Sequence, residues 1–151
     1  MKKVLFICMG NICRSAMAEG ILRHKIQENN LPIAVDSAGT HSYHNGGKYD
    51  ARARAELAKH NIDVEDLRSR RIKHSDFAEF DVMFAADQNN LEDLRAEFGQ
   101  LADKVQLMTA FSHEYNGQSV PDPYYGGDAG FAFVYEMLDE AIGAWLDAEN
   151  I

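Results

Sequence analysis

The chain lacks several things that would send the reading elsewhere. No apolar run approaches ~18 residues, so no membrane-spanning helix is predicted. Prolines number three against a hydrophobic content of 46%, which points to a compact globule. Basic residues are outnumbered, fifteen Lys and Arg to twenty-four Asp and Glu, and the net charge of −9 argues against a nucleic-acid or anionic-membrane surface. The local exception, Arg68-Ser69-Arg70-Arg71, reads as a solvated turn. Met1-Lys2-Lys3 is basic, but the apolar stretch behind it is too short for a signal peptide, so a cytoplasmic protein with reduced thiols is expected. Repeats, linkers and low-complexity segments are missing too. A single domain over residues 1–151 fits this length.

What is present is concentrated near the start. Val4-Leu5-Phe6-Ile7 has the unbroken apolar character of a buried parallel strand, and a helix-period segment runs from Ala16 to about Asn29. Between them, Cys8-Met9-Gly10-Asn11-Ile12-Cys13-Arg14-Ser15 has to make a tight strand-to-helix turn. Backbone N–H groups in such a turn converge on an anion at the positive end of the helix. That setting, with a guanidinium nearby, favours a thiolate over a thiol at Cys8. A thiolate attacks phosphorus without a histidine base. Arg14 offers two phosphate oxygens a planar fork of donors that lysine does not possess. Gly10 and Asn11 suit left-handed backbone angles, and Ser15 is placed to donate a hydrogen bond to the sulfur.

Apolar strands alternate with helical stretches, the pattern of an α/β fold with a parallel sheet. Strands are expected at about Lys3–Cys8, Ile33–Ser37, Asp81–Ala85 and Val105–Leu107, and helices at about Ala16–Asn29, Ala51–His60, Gln88–Phe98 and Gly130–Asn150. Phe131, Val134, Leu138, Ala141, Ile142 and Trp145 recur at helical spacing and read as core. Ligands in such sheets bind beyond the carboxyl ends of the strands, where Cys8 lies. The polar loop Thr40–Gly47 follows the second strand and should sit at the same end. Its His41 and His44 lack partners at metal-ligand spacing, so no metal site is expected.

Pro121-Asp122-Pro123-Tyr124-Tyr125 would pass for an ordinary turn in isolation. Beside the Cys8 loop it gains a chemical reading. A phenol leaving group has a free pKa near ~10, and its expulsion at neutral pH benefits from a positioned acid such as Asp122. The flanking prolines stiffen the segment. Tyr124 and Tyr125 are placed to wall a cleft deep enough for a phenyl ring.

At these residues the chain resembles the low-molecular-weight protein tyrosine phosphatases, whose pattern C-x5-R-[ST] matches Cys8 to Ser15. The resemblance extends to Asp36-Ser37-Ala38-Gly39-Thr40, to Phe77 with Phe80-Asp81, and to Asp122-Pro123-Tyr124-Tyr125, in the same order along essentially the whole chain. It implies a four-stranded parallel sheet of order 2-1-3-4 with helices on both faces. It also implies Cys8 as nucleophile, Arg14 as phosphate clamp and Asp122 as general acid and base. Met9, Gly10, Asn11, Ile12, Cys13 and Ser15 would complete the phosphate loop, Ser37 would support it, and Tyr43 would match an aromatic residue at the cleft rim. The implied substrates are tyrosine-phosphorylated proteins or aryl phosphates, with inorganic phosphate as product and neither metal nor organic cofactor. The family's loop cysteine pair further implies a redox role for Cys13.

Two departures stand out. Ala16 replaces a proline common in the family, which removes a helix-start signal but no chemistry. Leu67 stands where many members carry a histidine bonded to the loop asparagine and the second-strand serine, so a smaller support network is expected here. Three rival activities are weaker. Arsenate reduction on this fold needs further cysteines beyond Cys8 and Cys13. Phosphoarginine phosphatases tend to carry threonine where this loop has Ile12. A non-catalytic phosphotyrosine binder or redox sensor has no use for a general acid.

Overall fold

Strand β1 (Lys2–Cys8) is buried from Val4 onward because it lies inside the sheet, paired in parallel with β2 (Ile33–Gly39) on one side and β3 (Val82–Ala85) on the other. Strand β4 (Val105–Leu107) joins β3, and the order is β2-β1-β3-β4, as the family resemblance implies. This is a computed structural model, and it describes residues 1–41, 43–124 and 127–151. Helices α1 (Arg14–Asn29), α2 (Ala51–Ala58) and α5 (Asp128–Glu149) supply the core on one face. The short α3 (Asp76–Glu79), α4 (Gln88–Phe98) and a 3-10 turn (Gly99–Lys104) supply it on the other.

The period of two along β1 divides these cores. Val4, Phe6 and Cys8 point into the cluster with Met17, Ile21, Phe84, Phe131 and Trp145, while Leu5 and Ile7 point towards Phe77, Phe80, Met83 and Leu94. Each fully buried large side chain contributes about 1.5–3 kcal/mol relative to exposure. The same alternation places the Cys8 thiol on the α1 side.

The predicted strands and long helices all form, with shifts at their ends. Helix α1 starts at Arg14 and α5 at Asp128, each two residues earlier than expected, while α2 stops at Ala58. Strand β2 continues to Gly39, whose partner in the register is Cys8. Here glycine is required: a Cβ at Gly39 would stand 2.7 Å from the Met9 carbonyl oxygen and 3.1 Å from the Asn11 nitrogen. Neither α3 nor the 3-10 segment is legible in the sequence, since one or two turns are too short to show a period.

Candidate active site

Register and connectivity bring the ends of β1, β2 and β3 together, and the loop after Cys8 turns across them into α1. Its carbonyl groups face outwards. The Cys8 carbonyl accepts from Thr40 N at 2.9 Å, Met9 from His41 N at 3.0 Å, Ile12 from Asp50 N at 3.0 Å, and Asn11 from Ser69 Oγ at 2.6 Å. Among the described residues, the amides of Met9 to Cys13 meet no protein acceptor. The result is a ring of donors at the start of α1, suited to an anion.

Asn11 holds the tightest part of the turn, with φ of 56°. Its Oδ1 accepts from Arg70 N at 3.0 Å, and its Nδ2 donates to Ser15 Oγ and Ser37 Oγ, both at 2.8 Å. Ser15 Oγ lies 3.0 Å from Cys8 Sγ. Asn11 donates to Ser15, whose own proton has two acceptors within reach, the sulfur at 3.0 Å and the Ala38 carbonyl at 3.5 Å; towards an unprotonated sulfur the hydroxyl is the donor.

Arg14 is buried, and its Nη1 donates to Asp87 Oδ2 at 2.6 Å and to the Val120 carbonyl at 3.0 Å. Its Nη2 stands 3.9 Å from Asp122 Oδ2. Burial opposes the charge, but Cys8, Asp87 and Asp122 outweigh it and push the guanidinium pKa further up, so Arg14 stays a cation. Asp87 does double work, since its Oδ1 caps α4 by accepting from Asn90 N at 2.8 Å. Asp122 is partly exposed, its Oδ1 accepting from Tyr124 N at 3.0 Å.

Cys8 and Arg14 lie at one cleft of about 220 Å³, together with Met9, Gly10, Ile12, Cys13, Tyr43, His44, Asp122 and Tyr124. Tyr43 is 74% exposed and stacks on His41, ring centroids 5.3 Å apart. Tyr124 lies under the Arg52 guanidinium, 5.3 Å from its ring centroid, and that guanidinium also covers Phe131 at 4.8 Å. Tyr125, expected on the same wall, lies outside the described residues. Cys13 and Cys8 are both free and buried. Burial first, then the charges of Asp50, Cys8 and Asp122, push the Cys13 thiol well above its ordinary pKa, so it remains protonated at neutral pH.

A family model described as low molecular weight phosphotyrosine protein phosphatase matches residues 3–150. The chain belongs to that family. A low molecular weight protein-tyrosine-phosphatase of Streptomyces coelicolor is 39% identical over 152 residues, covering 97% of this chain and 92% of the relative. The low molecular weight phosphotyrosine protein phosphatase of Homo sapiens is 34% identical, with 97% and 94% covered. A protein tyrosine phosphatase structure from Entamoeba histolytica, with Hepes in its active site, superposes with TM-score 0.90 at 37% identity, both chains covered in full.

In this low molecular weight phosphatase, the segment read as a solvated turn is part of the loop support. Ser69 is buried on the Asn11 carbonyl, and Arg70 pairs with Asp36 at 3.1 Å and Asp76 at 2.9 Å. Only Arg68 and Arg71 keep exposed surfaces. Leu67 packs against the core, and Ser37 bonds to Glu19 and Tyr49 as well as to Asn11. Glu19, Tyr49, Asp87 and a cleft-lining His44 were not foreseen as site residues. Asp87 carried a usable signal: an Asp with Asn three residues later, at the end of a buried strand, marks a helix start at the ligand end of the sheet.

Proposed function

We propose that this protein-tyrosine phosphatase hydrolyses phosphotyrosine monoesters in two steps through a cysteinyl-phosphate. In the first step Cys8 Sγ forms a bond to phosphorus as the P–O bond to the phenol breaks, and the Asp122 carboxyl gives its proton to the departing phenolate. In the second, water attacks phosphorus, Asp122 takes a proton from it, and the S–P bond breaks to restore the thiolate and release phosphate. Loop amides and Arg14 hold the three equatorial oxygens, where the transition-state charge is spread.

The observation that carries this reading is the convergence of Cys8, Arg14 and Asp122 on one cleft, with the Ser15 hydroxyl 3.0 Å from the sulfur. The apolar side chains of Met9 and Ile12 and the rings of Tyr43 and Tyr124 around the same cleft suit an aromatic substrate. Two free thiols fit a reducing, cytoplasmic setting, and Cys13 beside Cys8 fits reversible oxidation. The test is steady-state hydrolysis of matched phosphotyrosine, phosphoserine and phosphoarginine peptides with EDTA present. Phosphotyrosine should be preferred and EDTA should have no effect; preference for phosphoarginine, or an EDTA-sensitive rate, would refute the proposal.

A further inference from the structure

A line of polar side chains leads from the Cys8 sulfur into the interior under α1. Beyond Ser15 and Asn11 it reaches Ser37, Glu19 and Tyr49, which are 1%, 3% and 2% exposed. Ser37 Oγ donates to Glu19 Oε1 at 2.6 Å, Tyr49 Oη donates to the same oxygen at 2.7 Å, and the two hydroxyl oxygens are 3.0 Å apart. A sulfur leaving phosphorus carries no proton and can only accept, which sets the direction of the last bond in the line. Both Asn11 amide protons go to the two serines, the Ser37 proton goes to Glu19, and the Ser15 proton is left for the sulfur.

We propose that Tyr49 and Glu19 are a positioning pair: they hold Ser37 as an acceptor towards Asn11, and through Asn11 they aim the Ser15 hydroxyl at Cys8 as the sulfur leaves phosphorus. The proposal rests on Cys8 acting as the nucleophile. Packing alone does not explain the pair, because a carboxyl and a phenol withdrawn from water are costlier than apolar side chains of similar volume. Burial pushes both groups above their ordinary pKa values, and Glu19 pushes Tyr49 further, which keeps the phenol protonated and donating. Leu67, which packs against this same core, has an apolar side chain and offers Ser37 no polar atom.

Tyr49→Phe removes one oxygen and leaves the ring in the core. In the intact chain, kcat for an aryl phosphate should fall on the order of tenfold and KM should fall with it, leaving kcat/KM and Tm little changed, because substrate binding and the attack step are untouched while sulfur departure from the cysteinyl-phosphate is slowed. In a Ser37→Ala background the same change should cost less than about twofold more, since both residues act along one line. The positioning role is overturned if Tyr49→Phe alone keeps kcat within about twofold of wild type, if only Tm moves, or if the full loss recurs in the Ser37→Ala background. Cys8→Ser run alongside separates the two ideas. An active Cys8→Ser protein refutes the cysteinyl-phosphate reading on which the pair's role rests, whereas an inactive one beside an unimpaired Tyr49→Phe refutes only the role of the pair.

Discussion

Arg14→Lys is a demanding test because the structure divides the work of the guanidinium. Nη1 is committed to the protein, with Asp87 Oδ2 at 2.6 Å and Val120 O at 3.0 Å. That leaves the rest of the planar group to meet phosphate. A lysine ammonium in the same place is a single nitrogen with three protons. It retains the charge and the two anchoring bonds, but has no second nitrogen to reach a phosphate oxygen. The variant therefore loses donors to the transferring group while the fold keeps its ion pair. Removing one such donor costs about 2.7–4 kcal/mol, or ~10²–10³ in rate, so kcat should drop by at least ~10²-fold. The assay is stopped-flow or steady-state release of an aryl product, with thermal unfolding measured in parallel to show that Tm is retained. A lysine variant within about threefold of wild type would mean that charge alone suffices and would refute the bidentate clamp.

Other outcomes follow from the same geometry. Cys8→Ser should fold normally and lose turnover, checked by activity and circular dichroism; a tenth of wild-type activity, about 1.4 kcal/mol of barrier, would remove Cys8 as nucleophile. Asp122→Asn should lower kcat far more for phenyl phosphate than for an aryl phosphate whose phenol is already acidic, and equal losses would count against an acid at this position. Peroxide should inactivate the wild type reversibly, by oxidation of Cys8 to a sulfenic acid that Cys13 captures as a disulfide with loss of water. Intact mass should then fall by about two units, and dithiothreitol should restore activity. Cys13→Ser should recover far less after prolonged exposure, and equal recovery without a disulfide would leave Cys13 as packing.

The parts of the fold that could be read in advance are those with a long period or an unbroken apolar run. Val4–Ile7 and the Phe131–Trp145 stripe each announced their element, and the eight residues from Cys8 announced the loop. Boundaries slipped where tertiary bonds decide them. Helix α1 begins at Arg14 because Met17 N already donates to the Cys13 carbonyl, and the loop just before it is held by Asp50 N and the Ser69 hydroxyl, partners no local window contains. The charges of the segment from Arg68 to Arg71 suggest solvent, whereas Ser69 and the Arg70 backbone are tied to Asn11, nearly sixty positions away. Tyr49 and Glu19 are not legible as site residues for a similar reason: each belongs to its own local segment, and only folding brings both hydroxyl and carboxyl to Ser37.

Asp87 links two properties that are usually adjusted separately. One carboxylate oxygen ends α4 and the other holds the arginine of the cleft. Any replacement at this position therefore acts on heat resistance and on turnover at once, and a survey of Asp87 variants should show the two falling together. Stabilising α4 for technical use is safer from its far end, where Arg95 and Gly99 close the helix. Changes there leave the aim of Arg14 alone.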